Sequence, residues 1–158
     1  MTAKIIDGDA AAAEIQAQAA AQAAELVRAG RPVRLVAVQV GENPASKVYT
    51  DMQARSCQAV GIQYQLVNMP AETTPADLVA RIQQLNNDPA TSGIILQMPL
   101  PPQIDARQVQ GTIAPGKDAE AVNPANIGKL FFSEEGVGPC TAMAARELLR
   151  RTCPDLSG

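Results

Sequence analysis

The sequence contains no histidine, and that absence excludes more chemistry than any other feature of its 158 residues. Without an imidazole there is no Ser-His-Asp or Cys-His mechanism, and the commonest general base and zinc ligand are gone. Any acid–base work falls to Tyr, Lys, Asp, Glu or water. Cysteine is scarce: Cys57, Cys140 and Cys153 are odd in number and lack metal-ligand spacing, which points to reduced thiols and no metal. No apolar run approaches the roughly 20 residues that a membrane span needs, and Asp7, Asp9 and Glu14 interrupt the start. A basic segment ahead of a hydrophobic stretch is also missing, so no secretory signal is expected and the cytoplasm is the expected compartment. The Lys and Arg residues form no stripe, and a formal net charge of −3 argues against nucleic acid as a partner. Among eleven glycines there is no G-x-G-x-x-G, the fingerprint of a dinucleotide-binding turn.

The rest is ordinary material for a soluble globular domain: 46% hydrophobic and 18% charged residues, in a chain long enough to bury a core. The spacing predicts strands and helices in alternation. An alanine-rich helix runs to about Arg28, with Ile15, Ala19, Ala23 and Leu26 on one stripe, and Gly30 and Pro32 stop it. Residues 33–40 (VRLVAVQV) read as a strand covered on both faces. A turn at Gly41-Glu42-Asn43 leads into a helix capped by Asn43, with Pro44 in its first turn and Gly61 at its close. On that helix Ser46, Tyr49, Gln53 and Ser56 share a polar face. Val48, Met52 and Ala59 form the apolar face expected to pack on the sheet.

A second strand follows at 63–67, then a helix from Pro75 capped by Thr74, with Leu78, Ile82 and Leu85 inward. The third strand spans 93–97. This repetition implies right-handed βαβ units and an α/β fold, three-layer α/β/α around a parallel sheet. Further on, a short helix is expected within 104–113, loop across 115–128, and a last helix capped by Thr141 and reaching about Thr152. In open α/β sheets ligands sit at the carboxyl ends of the strands. Three segments arrive there: the start of the Asn43 helix, Gln97 to Pro101, and the loop at Asp118–Glu120. Each has a plain structural alternative. Tyr49 is equally a core-edge residue with its hydroxyl in water, Gln97 a polar strand end, and Lys117-Asp118 with Glu120 a solvated turn.

The residues VGENPASKVY (40–49), with the cysteine and VGI that follow, resemble the first signature of the methylenetetrahydrofolate dehydrogenase/cyclohydrolase family. GIILQMPLP (93–101) resembles its second signature, and Lys117-Asp118-Ala119-Glu120 a third in altered form. The resemblance implies the folate-binding catalytic domain over 1–122. Residues 123–158 would be a connecting segment and helix leading, after DLSG, to a dinucleotide-binding domain outside this chain. It implies a folate substrate, NADP or NAD held by that other domain, and dimerisation through that domain alone.

Residue by residue, the resemblance gives Tyr49, Gln53 and Gln97 the catalytic positions. Ser46, Tyr49, Leu96, Gln97, Met98, Pro99, Asp118 and Glu120 would bind substrate. Two departures lie in one loop: the family's folate-binding aspartate falls at Glu120, and the glycine after it at Ala121. A third is larger, because the family's catalytic lysine falls at Gln53. A glutamine can donate and accept hydrogen bonds but cannot titrate. Hydride transfer moves no proton to the protein, whereas hydrolysis of a methenyl carbon needs proton transfer. The resemblance therefore implies a dehydrogenase spared and a cyclohydrolase impaired, with this chain alone expected to be inactive. Two rival readings are a non-catalytic module binding a folate-like ligand and a relative that kept the fold for a structural role.

Overall fold

The computed structural model describes residues 5–132 and 136–153, apart from the side chains of Pro44 and Ala45. Its centre is a three-stranded parallel sheet in the order β2-β1-β3, made of β1 (Arg34–Val40), β2 (Gln63–Met69) and β3 (Gly93–Leu96). Central β1 is buried from Val36 to Val40, where Val36, Val38 and Val40 alternate with Ala37 and the buried polar Gln39. Helix α1 spans Gly8–Arg28, α2 Pro44–Ala59 and α3 Pro75–Asn87. The fold is the α/β arrangement that the strand–helix alternation predicts.

Strand alternation assigns the two faces. Val36, Val38 and Val40 join Ile94 and Leu96 on one face and pack on Leu78, Ile82 and Leu85 of α3. Thr74 caps α3 by accepting from the Asp77 backbone N–H at 3.2 Å. Ala37 and Gln39 point to the other face, with Tyr64, Leu66 and Asn68 in register on β2. That is the face of α2.

The predicted inner face of α2 is overturned. Val48 and Met52 are 64% and 58% exposed, and Ala59 is exposed too. The buried positions are Ser46, Thr50 and Cys57, with Gln53 and Ala54 half-buried between them. Polar residues can occupy that face because their groups are bonded: the Thr50 hydroxyl donates to the Lys47 carbonyl at 3.0 Å and the Ser46 hydroxyl to the Met98 carbonyl at 3.3 Å. Gly41 and Gly61 bracket α2 at φ 75 and 76, the left-handed region where glycine carries no Cβ penalty.

Past β3 the chain forms α4 (Ala106–Gln110), α5 (Pro124–Phe131) and α6 (Cys140–Thr152). Helix α5 occupies the end of the stretch read as loop. Asn123 caps it by accepting from the Ala125 N–H at 2.8 Å, and Pro124 holds its first turn. Eight residues with Gly128 among them give too short a periodic pattern to be seen in the sequence. Thr141 is not the cap of α6, which starts at Cys140 with Pro139 in the cap position and no side-chain cap bond. On α1 the stripe holds at Ala23, while Ile15 is exposed. Arg151 of α6 pairs with Glu14 of α1 at 2.6 Å and with Glu147 at 2.8 Å. The expected junction at DLSG lies outside the described residues.

Candidate functional site

The carboxyl ends of the strands, the start of α2 and the loop after α4 meet around a cavity of about 290 Å³. Asn43, Ser46 and Tyr49 line it from α2, Leu96, Gln97, Met98 and Pro99 from the end of β3, and Glu120 from the loop. Tyr49 is 53% exposed, so its ring forms a rim of the cavity and not a plug of the core. The Ser46–Met98 hydrogen bond ties the two walls together, and the Met98–Pro99 peptide is cis.

Gln53 does not line the cavity; it stands behind Gln97. Its Oε1 accepts from Gln97 Nε2 at 2.7 Å and from the Tyr64 hydroxyl at 3.2 Å. The tyrosine bonded to Gln53 is thus Tyr64 of β2, although Tyr49 lies one helical turn away on the same helix. Burial, with the fields of Cys57, Asp51 and Tyr49 behind it, pushes the Tyr64 hydroxyl up to about 12. Tyr64 was not singled out in the sequence. The strand register, which places it on the α2 face, is the signal that finds it.

Asp118 is 2% exposed and lies outside the cavity lining, beneath the loop. Its Oδ2 accepts from the Asn123 N–H at 2.8 Å and from Asn126 Nδ2 at 2.9 Å, and Oδ1 from the Glu120 N–H at 3.3 Å. Asn123 Nδ2 donates in turn to the carbonyls of Ile113 at 2.8 Å and Gly111 at 3.2 Å. Lys117 points the opposite way and donates to the Leu85 and Asp88 carbonyls at the end of α3, at 3.0 and 2.7 Å. A backbone bridge between Ile94 and Asp118 lays the loop against β3. This frame holds Glu120 at the cavity. Burial, and then the neighbouring Asp118 charge, push the Glu120 carboxyl above its ordinary value.

Ala121, where the resemblance expects glycine, has φ 54 and is 1% exposed. Alanine here takes the left-handed conformation at a steric cost of about 1–2 kcal/mol. The loop keeps a glycine-type backbone without the glycine.

A family model described as tetrahydrofolate dehydrogenase/cyclohydrolase, catalytic domain, matches residues 6–120. The chain belongs to this family. Bifunctional protein FolD of Polaromonas sp. (strain JS666) is 42% identical over 158 residues, all of this chain and 56% of that protein. The crystal structure of the bifunctional enzyme FolD, methylenetetrahydrofolate dehydrogenase/cyclohydrolase, from Campylobacter jejuni matches with a TM-score of 0.95 at 32% identity. It covers 98% of this chain and 55% of its own. The Trypanosoma brucei methylenetetrahydrofolate dehydrogenase-cyclohydrolase, crystallised with NADP cofactor and inhibitor, matches with a TM-score of 0.88 at 34% identity, over 96% of this chain and 53% of that one. The chain thus spans about half the length of the relatives it matches. No helix among the described residues is long and apolar enough to cross a membrane, and no group of three or more His, Cys, Asp or Glu there is placed to hold a metal.

Proposed function

We propose that this chain is the folate-binding part of a methylenetetrahydrofolate dehydrogenase/cyclohydrolase whose hydrolytic step is weakened at Gln53. The observation that carries this reading is the convergence of Tyr49, Gln97 and Glu120 on one cavity, with Gln53 bonded directly behind Gln97. The ring of Tyr49 offers an aromatic face for the pterin or its neighbouring ring. Leu96, Met98 and Pro99 supply apolar contact, and Glu120 a carboxyl for hydrogen bonds to N–H groups. Asp118, bound on both oxygens, acts on substrate only through the loop it holds, so its role is positioning.

In hydrolysis, water adds to the methenyl carbon, loses one proton and forms a C–O bond. The bond from that carbon to N5 then breaks as N5 takes up a proton and the new hydroxyl gives up its own, giving the 10-formyl product with one proton released overall. A group that exchanges protons beside this carbon accelerates both steps, and Gln53 has none to exchange. Its oxygen, moreover, is already bonded to Gln97 and Tyr64.

The dehydrogenase reaction calls on NADP or NAD, which supplies a hydride acceptor when bound. These residues do not fit that cofactor. The β1–α2 turn holds Gly41-Glu42-Asn43, with an acidic side chain where a dinucleotide turn brings glycine backbone to the pyrophosphate. In this reading the cofactor, and any dimer contact, are held by a part of the relatives that this chain does not span, and hydride transfer by the chain alone is not expected.

Titration with tetrahydrofolate tests the proposal directly. Saturable binding that Tyr49→Ala weakens, without loss of fold, is the expected result. Absence of binding to the folded chain would leave the structural rival standing.

A further inference from the structure

We propose that a second cavity, on the β2 side of α2, binds a small primary alkylammonium ion, with the Gln39 side-chain oxygen and the Glu42 carboxylate receiving its N–H groups. The cavity measures about 670 Å³. Gln39 and Glu42 line it from the end of β1 and the turn that follows, Lys47 and Asp51 from α2, and Leu66 and Asn68 from β2. Asn43 lines both this cavity and the one described above, so the start of α2 is the wall between them.

The observation that points to a ligand is Gln39. Its side chain is 9% exposed, and Oε1 is the one buried side-chain nitrogen or oxygen among the described residues without a hydrogen-bond partner. Turning the carboxamide over does not help. Nε2 donates to the Gly41 carbonyl at 2.9 Å, and because a carbonyl only accepts, a flip would set two oxygens against each other. The orientation is therefore fixed, with Oε1 as the unmet end. Buried polar atoms are nearly always bonded, since the hydrogen bonds to water lost on burial have to be replaced.

Charge selects the donor. Lys47 is paired with Asp51 at 3.3 Å, whereas Glu42 has no ion-pair partner among the described residues. Two carboxylates thus face one ammonium, beside an acceptor that lacks a proton. A cationic N–H donor meets both conditions, and an anion or a bare carbonyl meets neither. Guanidinium is broad and flat while ammonium is compact, and the compact head suits an acceptor with so little open surface. Exposed Leu66 offers apolar contact to the stem. This site is independent of the folate reading.

The test is an NMR titration of the chain with n-butylammonium at neutral pH, following the side-chain amide signals of Gln39 and Asn68. Tetramethylammonium, charged but without N–H, and n-butanol, a donor without charge, serve as comparisons. n-Butylammonium should shift both signals saturably and bind about tenfold more tightly than either, the difference that a charge-assisted hydrogen bond makes. Gln39→Met keeps the length of the side chain without its oxygen and should weaken binding about tenfold. Glu42→Gln, at an exposed position, should weaken it about threefold, and it keeps the test open if Gln39→Met does not fold. Shifts that never saturate would mean that Oε1 is met by water alone, and would overturn the proposal. Equal binding of tetramethylammonium, or unchanged affinity in either variant, would overturn it as well.

Discussion

Replacing Gln53 with lysine is the perturbation that most directly tests the chemistry of this site. The side chain at 53 is half-buried and ends 2.7 Å from Gln97 and 3.2 Å from Tyr64. Lysine is long enough to bring its ammonium to the same point, where Gln97 and Tyr64 can both turn an oxygen toward it. Partial burial favours the neutral amine and lowers its pKa, opposed by the Asp51 carboxylate whose field reaches Tyr64 beside residue 53. A group poised in that way contributes roughly 10²–10⁴-fold to a proton-transfer step, or about 2.7–5.5 kcal/mol of barrier. Gln53→Lys should therefore raise methenyltetrahydrofolate hydrolysis by a factor in that range, read from the decay of the methenyl absorbance against the uncatalysed background. The dehydrogenase rate, measured in a chain that carries a nicotinamide-binding domain, should change far less because hydride transfer asks nothing of a titrating group. A folded Gln53→Lys protein that binds tetrahydrofolate as before yet hydrolyses no faster would refute the reasoning. The deficit would then lie in the loop at Glu120 and Ala121.

Three other substitutions separate site from scaffold. Tyr49→Ala should leave stability within about 1 kcal/mol, because the ring is half exposed, yet weaken tetrahydrofolate roughly tenfold; a loss of about 3–5 kcal/mol in chemical denaturation would instead make Tyr49 a core residue. Asn123→Ala removes the cap of α5 and both bonds to Gly111 and Ile113, about 1 kcal/mol each, so urea unfolding should report a loss near 3 kcal/mol. An unchanged midpoint would show that the loop is held some other way. Glu120→Gln tests the raised carboxyl. The folded state holds this proton more tightly than the unfolded chain, so stability is highest at low pH and falls as pH rises from the ordinary carboxylate range through the folded value. The variant should thus be the more stable form at neutral pH and gain nothing in acid, which melting temperatures across pH would check.

Much of the fold is legible in the residues themselves because the signals are local. The cap at Thr74, the proline after it and the apolar spacing of Leu78, Ile82 and Leu85 all state the same helix. The mostly apolar β1, interrupted only by Gln39 after Arg34, states a strand buried on both sides. Helix α2 shows where local reading stops. Its apolar residues Val48 and Met52 face outward, while Ser46, Thr50 and Gln53 face the sheet, since partners on β2, on Gln97 and Met98 just past β3 and on the helix backbone satisfy their polar groups. A hydrophobic stripe predicts burial only when the opposite face has no such partners.

The same division runs through the site. From the sequence alone come the parallel α/β fold, the three segments that reach the strand ends, the absence of any imidazole chemistry and the family resemblance that marks position 53. Those features depend on residue type and on short-range spacing, which the chain carries without folding. The tertiary structure alone sets Asp118 beneath the loop instead of in the cavity, and brings Tyr64 from eleven residues away to Gln53. It also sets Ala121 in a left-handed conformation. Each of these depends on the register between strands or on the closure of a loop. Such long-range pairings are fixed by the packing of the whole domain and leave no periodic trace in the sequence.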